Sequence, residues 1–181
     1  VFIHGGYWQR NSREMFACMA DGVLAHGWSA ALPGYTLAPD ATLARIAEEI
    51  TAALDWLQQH RNAYGITGRI VVSGWSAGAH LAALSLAHPL VSAGLAISGV
   101  YELAPIADTY LNDKLRLAPA EIASLSPLRL PAIAKPLTIT YGENELPRLV
   151  ADSRAMHAMR SAARAPGSLL PQAGHDHFSI L

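Results

Sequence analysis

The chain has 181 residues, of which 51% are hydrophobic and 15% charged, with a formal net charge of -1. That length and apolar content fit one compact domain with a substantial core and exclude two independent ones. A pI near 6.8 and no run of like charges leave no electrostatic ground for nucleic acid or an anionic membrane as partner, so a small molecule is the expected partner. Every apolar run is interrupted well before the roughly 18 residues of a membrane span.

In chain order, Val1 to Ile3 reads as the end of a strand. Asn11 followed by Glu14 matches a helix-starting capping box, Met15, Phe16, Met19 and Val23 recur at helical spacing, and Gly27 supplies a stop. Cys18 falls on the apolar face of that helix and is expected to be a buried small hydrophobe; alone, it forms no internal disulfide, which is compatible with a reducing cytoplasm. Trp28 to Leu32 is a second strand, ended by Pro33-Gly34, and Leu43, Ile46, Ile50, Leu54 and Leu57 draw the stripe of a second helix. A short β-branched run from Ile70 to Ser73 suits a central strand, and Ala77 to Ala87 reads as a helix. Leu95 to Ser98 and Leu137 to Tyr141 are further strands, with a Pro-punctuated, lid-like segment at about 99–126 between them. A helix at about Arg148 to Ala163, a strand at Ser168 to Leu170 and a loop with His175 and His177 follow. Alternating strands and helices predict an α/β architecture, a mostly parallel sheet flanked by helices, in a single domain over 1–181.

Gly74-Trp75-Ser76-Ala77-Gly78 is a G-x-S-x-G run placed where a buried strand gives way to a helix. Small neighbours let the two backbones approach closely, the turn exposes the serine hydroxyl at the sheet's C-terminal edge, and the helix N-terminus points at it. Alone, the pattern is equally an ordinary Gly/Ser-rich turn. A second element raises its weight: His4-Gly5-Gly6-Tyr7-Trp8 directly follows a strand, where glycines bring backbone N–H groups close to a developing oxyanion.

On these motifs the chain resembles the α/β-hydrolase superfamily, specifically the arylformamidase (kynurenine formamidase) and related esterase group with an HGGxW motif. The resemblance runs through the whole chain. It implies an α/β-hydrolase fold and an oxyanion hole of the Gly6, Tyr7 and Ala77 amides. Gly34-Tyr35-Thr36-Leu37-Ala38-Pro39 looks like the Y-x-L-A-P segment of hormone-sensitive-lipase-like esterases. Gly142-Glu143-Asn144-Glu145-Leu146-Pro147 resembles the family's acid loop, with the acid two residues before a proline. This selects Glu145, with Glu143 as competitor. His175-Asp176-His177-Phe178 resembles the histidine loop, in which the base immediately precedes Phe, so His177 is preferred over His175 and Asp176 is a turn residue.

The implied catalytic residues are therefore Ser76, Glu145 and His177, in the fold's order. Each histidine or acid alone is commonly a solvated surface group; four motifs in order are much less so. No ligand cluster of recognisable spacing accompanies His175 and His177, and neither metal nor cofactor is expected. His80 is expected to be structural, and Tyr7, Trp8 and Trp75 to pack near the site, with a substrate-ring contact open to Tyr7 or Trp8.

The resemblance implies hydrolysis of an aryl formamide, N-formylkynurenine to kynurenine plus formate in tryptophan catabolism, with a short-chain carboxylesterase as the alternative within the enzyme class. A non-catalytic hydrolase-like binding protein is the alternative outside it. The oligomeric state, a homodimer included, stays open. The resemblance further implies six parallel strands in the spatial order 28–32, 1–3, 70–73, 95–98, 137–141, 168–170. Family members have strands before the HGG-bearing strand and a helix after the histidine, so the 181 residues are expected to be a domain truncated at both ends.

Overall fold

Residues 1–181, described by a computed structural model, form an all-parallel sheet of five strands whose spatial order is their chain order. The strands are β1 (Phe2–Ile3), β2 (Ile70–Trp75), β3 (Val91–Ile97), β4 (Leu137–Gly142) and β5 (Leu169–Gln172). Between them run the helices α1 (Met19–Ala25), α2 (Leu43–His60), α3 (Ala77–Ser85), α4 (Ala104–Ala107), α5 (Asn112–Leu115), α6 (Pro119–Leu125) and α7 (Pro147–Ala162). No helix is long and apolar enough to cross a membrane.

Strand alternation decides which sheet face is sealed. Ile3, Val72, Ala96 and Ile139 project to the same face and are fully buried. The small residues of α3 pack there, and α2 packs on α3 through the predicted stripe Leu43, Ile46, Ile50, Leu54 and Leu57, all buried. Each such side chain contributes about 1.5–3 kcal/mol relative to exposure. Thr42 caps α2, its hydroxyl accepting the Arg45 N–H at 3.2 Å.

The opposite face is less covered, and there the sequence reading needs correction. The predicted strand from Trp28 to Leu32 is not a strand, so the sheet has five strands rather than six. Gly27 takes a positive φ of 75°, and Trp28 N–H turns back to Val23 O. Those residues close α1, leaving only Ala31 O to accept from Phe2 N–H before Pro33, which has no N–H to give. The predicted helix over 11–27 splits into a 3₁₀ turn (Arg13–Phe16) and the seven-residue α1.

The capping box does not form, because Asn11 donates instead to Gly5 O and Glu14 pairs with Arg13. Met15 and Val23 are exposed rather than core, and so is Cys18, expected to be buried. The physical reason is a missing packing partner: a cavity of about 590 Å³ separates α1 from Phe2, Leu95 and Ile97 on the sheet.

The segment 99–126 carries α4, α5 and α6 and buries Tyr101, Leu103, Leu111 and Leu115. It is tied down on three sides. Asp152 of α7 accepts the Tyr101 and Glu102 N–H groups at 3.1 and 3.2 Å, Gln9 donates to Leu111 O at 2.8 Å, and His80 of α3 bonds Leu125 O at 2.7 Å.

Candidate active site

The β2–α3 turn is built by small residues. Ser76 sits at φ 56° and ψ -119°, a conformation that a non-glycine residue rarely holds without surrounding support. That support is visible: Ser76 N–H donates to Ile97 O at 2.8 Å, and Ser76 O accepts from Ala79 and His80. A Cβ on Gly74 would strike Gly78 O, and one on Gly78 would strike the carbonyl oxygens of Ile3 and His4. Only glycine therefore lets strand, helix and HGG loop converge.

The loop after β1 is equally constrained. Gly6, Tyr7 and Trp8 take successive positive φ values of 120°, 54° and 59°. Gly6 O accepts from Gln9 and Arg10, and Trp8 is fully buried with its carbonyl accepting Ala38 N–H. His4 stacks on Tyr35 at 4.3 Å, and the Tyr35 hydroxyl donates to His4 O at 3.0 Å. Burial pushes the His4 pKa below its ordinary value, so its Nδ1 donates to Gly5 O as a neutral ring. The N–H groups of Gly6 and Tyr7 have no protein acceptor, and that of Ala77 is the first of α3 and has no intrahelical one.

At the other side, the loops after β4 and β5 interlock. Glu143 N–H donates to Gln172 O and Asn144 N–H to His175 O, and a Cβ on Gly142 would strike His175 O. This brings His177 between two partners. Its Nε2 lies 3.1 Å from Ser76 Oγ, and its Nδ1 bonds Glu145 Oε1. Because a carboxylate only accepts, Nδ1 carries the proton and Nε2 is left to accept the serine O–H. The Glu145 side chain is wholly buried, whereas Glu143 is exposed. Glu145 Oε2 is buried without a protein partner.

His175 bonds Ser179 O instead and is exposed. Asp176 accepts from the Phe178 and Ser179 N–H groups, which hold its carboxyl below the usual range. It is a turn residue. His80 is fully buried, its pKa pushed down to about 4 by desolvation. Its Nε2 therefore donates to Leu125 O rather than facing Ser76, and its ring meets Trp8 edge-on at 5.1 Å. No three His, Cys, Asp or Glu side chains converge as metal ligands would.

The sequence reading placed Trp75 only nearby. Its indole N–H donates to His177 O at 2.8 Å, a partner foreshadowed by the need of any buried indole for an acceptor.

Comparison with known proteins agrees with this fold. Residues 1–89 match the BD-FAE family. A solved Silicibacter structure superposes with a TM-score of 0.84 at 26% identity, covering 99% of this chain and 68% of that one. The chain has the α/β-hydrolase fold. The Pyrobaculum calidifontis esterase has the same fold as this chain, with a TM-score of 0.87 at 17% identity over 98% of this chain and 67% of that one. Kynurenine formamidase of Danio rerio is 27% identical over all of this chain. The chain spans 66% of the length of that relative.

Proposed function

We propose that this α/β-hydrolase is a serine hydrolase that cleaves a small acyl amide or ester, with an aryl formamide such as N-formylkynurenine as the leading substrate. The observation that carries it is the line of Glu145, His177 and Ser76, with the serine strained at the mouth of a helix. The relatives named kynurenine formamidase supply the substrate class.

In this reading Ser76 Oγ attacks the acyl carbon while His177 Nε2 takes the hydroxyl proton and Glu145 steadies the imidazolium. The N–H groups of Gly6, Tyr7 and Ala77 donate to the oxyanion, and removing one such donor costs about 10²–10³ in rate. His177 then returns the proton to the leaving amine, and water attacks the acyl-serine to release the acid. A short-chain aryl ester offers the same carbonyl with a better leaving group and is expected to react by the same steps. The segment 99–126, bonded to the HGG loop through Gln9, acts as the lid over this chemistry.

The test compares hydrolysis of N-formylkynurenine with that of short-chain aryl esters, alongside labelling by a fluorophosphonate probe. Label at Ser76 with turnover of either substrate is expected. A protein that neither labels nor turns over any of them is a binding protein on a hydrolase fold, and the reading fails.

A further inference from the structure

We propose that Trp75 is a positioning residue for His177: its N–H fixes the histidine's backbone and its ring face stabilises the imidazole once protonated. This rests on the serine-hydrolase reading above. Trp75 is the last residue of β2, directly before Ser76, and is only 6% exposed. Its Nε1–H donates to His177 O at 2.8 Å, and its ring lies 4.8 Å from the imidazole at an interplanar angle of 36°. On its flanks are Phe16 at 5.7 Å and Phe178 at 5.8 Å. Gly5 lies against it so closely that a Cβ there would sit 2.6 Å from Trp75 Cε3. One indole thus touches the serine turn, the HGG loop and the histidine loop.

The histidine loop needs such an anchor. Between Ala173 and Ser179, His177 is the single buried residue. Its neighbours bond mainly within their own turn: Asp176 holds the Phe178 and Ser179 amides and His175 holds Ser179 O, with the acid loop reaching only as far as His175 O through Asn144 N–H. Glu145 and Ser76 grip the imidazole, but the peptide carbonyl that carries it is gripped by Trp75. The ring contact has a separate consequence. When Ser76 gives up its proton, His177 becomes a cation within about 6 Å of an indole face, the range in which the ring quadrupole favours positive charge.

The two roles separate by substitution. Trp75→Phe keeps a ring and loses the N–H; with active sites counted by fluorophosphonate titration, kcat is expected to fall about tenfold with KM unchanged. Trp75→Leu loses both, so kcat falls further and the acid limb of the kcat/KM profile moves to lower pH by roughly half a unit. A merely structural tryptophan would lower the melting temperature and the active fraction without moving that limb.

Both variants within twofold of wild-type kcat, with an unmoved profile, would overturn the proposal. Should neither variant fold, the wild-type protein decides: the Trp75 indole ¹H–¹⁵N resonance is expected to titrate with the His177 midpoint and to shift when Ser76 is labelled. An indole signal that neither follows pH nor moves on labelling overturns the contact. Failure of the hydrolase reading shows instead as absent turnover of every substrate, with the indole titration still reporting on the pair.

Discussion

The two halves of the candidate site are held by different physics. On the Ser76 side, glycine-permitted backbone approaches and positive φ values fix the serine and the HGG loop, and the determinants are concentrated in two short motifs, 4–8 and 74–78. On the His177 side, the loops after β4 and β5 interlock through two backbone bonds, and the histidine itself is placed by side-chain bonds across long sequence separations, to Glu145 and Trp75. The first half is rigid because it has no room. The second places its imidazole through two individual side-chain bonds. Substitutions should therefore act differently on the two sides, through sterics on one and through single bonds on the other.

The largest expected effect removes the group that both halves serve. Ser76→Ala should lower turnover by on the order of 10⁴ to 10⁶ and abolish fluorophosphonate labelling, with the thermal melt little changed. Glu145→Gln comes next. It keeps the size of the side chain but loses the charge opposite the imidazolium, and about 10³–10⁴ in kcat should go with it. Glu145→Asp should retain more activity, since the charge survives at a reach one methylene shorter. Steady-state kinetics on the best substrate decides both.

Gly78→Ala tests the steric half. The added methyl meets the carbonyl oxygens of Ile3 and His4, so β1 and its loop must move away from α3. Overpacking of this kind costs about 1–3 kcal/mol and should lower activity by displacing the HGG amides, read in parallel by denaturant unfolding and kcat. Equal stability and activity would show that the approach is looser than drawn.

A pH effect of intermediate size belongs to His80, behind the steric half. Its folded pKa of about 4 lies below the ordinary 6.5. As pH falls through 6.5 the unfolded chain takes up this proton first, so stability declines until about pH 4, where the folded protein is protonated too. His80→Asn removes that titration. Its unfolding free energy should vary less between these pH values than the wild type's, and an equally steep decline would reassign the acid sensitivity to other groups.

Legibility in the sequence follows the same division. The turn at Ser76, the stripe of α2 and the strands of the sealed face were readable because spacing alone determines which side is buried. The segment 11–32 was misread because periodicity announces an apolar face without saying what covers it. Met15, Val23 and Cys18 draw a helical face that meets no element, and Trp28 is consumed by the turn that closes α1. The union of Trp75 with His177 spans 102 positions and has no local signature beyond an indole that needs an acceptor. Glu145 and Glu143 were separable only by resemblance, since both stand in one short loop.

The smallest expected effect therefore sharpens the comparison most. Glu143 sits two residues from Glu145, carries the same charge and is exposed, with no side-chain partner, while its N–H donates to Gln172 O. Glu143→Gln leaves that backbone bond in place and removes only a solvated charge, whose influence on the imidazole is screened by water and salt. Turnover should stay within about twofold of wild type, and the acid limb of its pH profile should not move measurably. If Glu143→Gln instead silenced the enzyme while Glu145→Gln spared it, the histidine loop would have to be rebuilt around the other carboxylate.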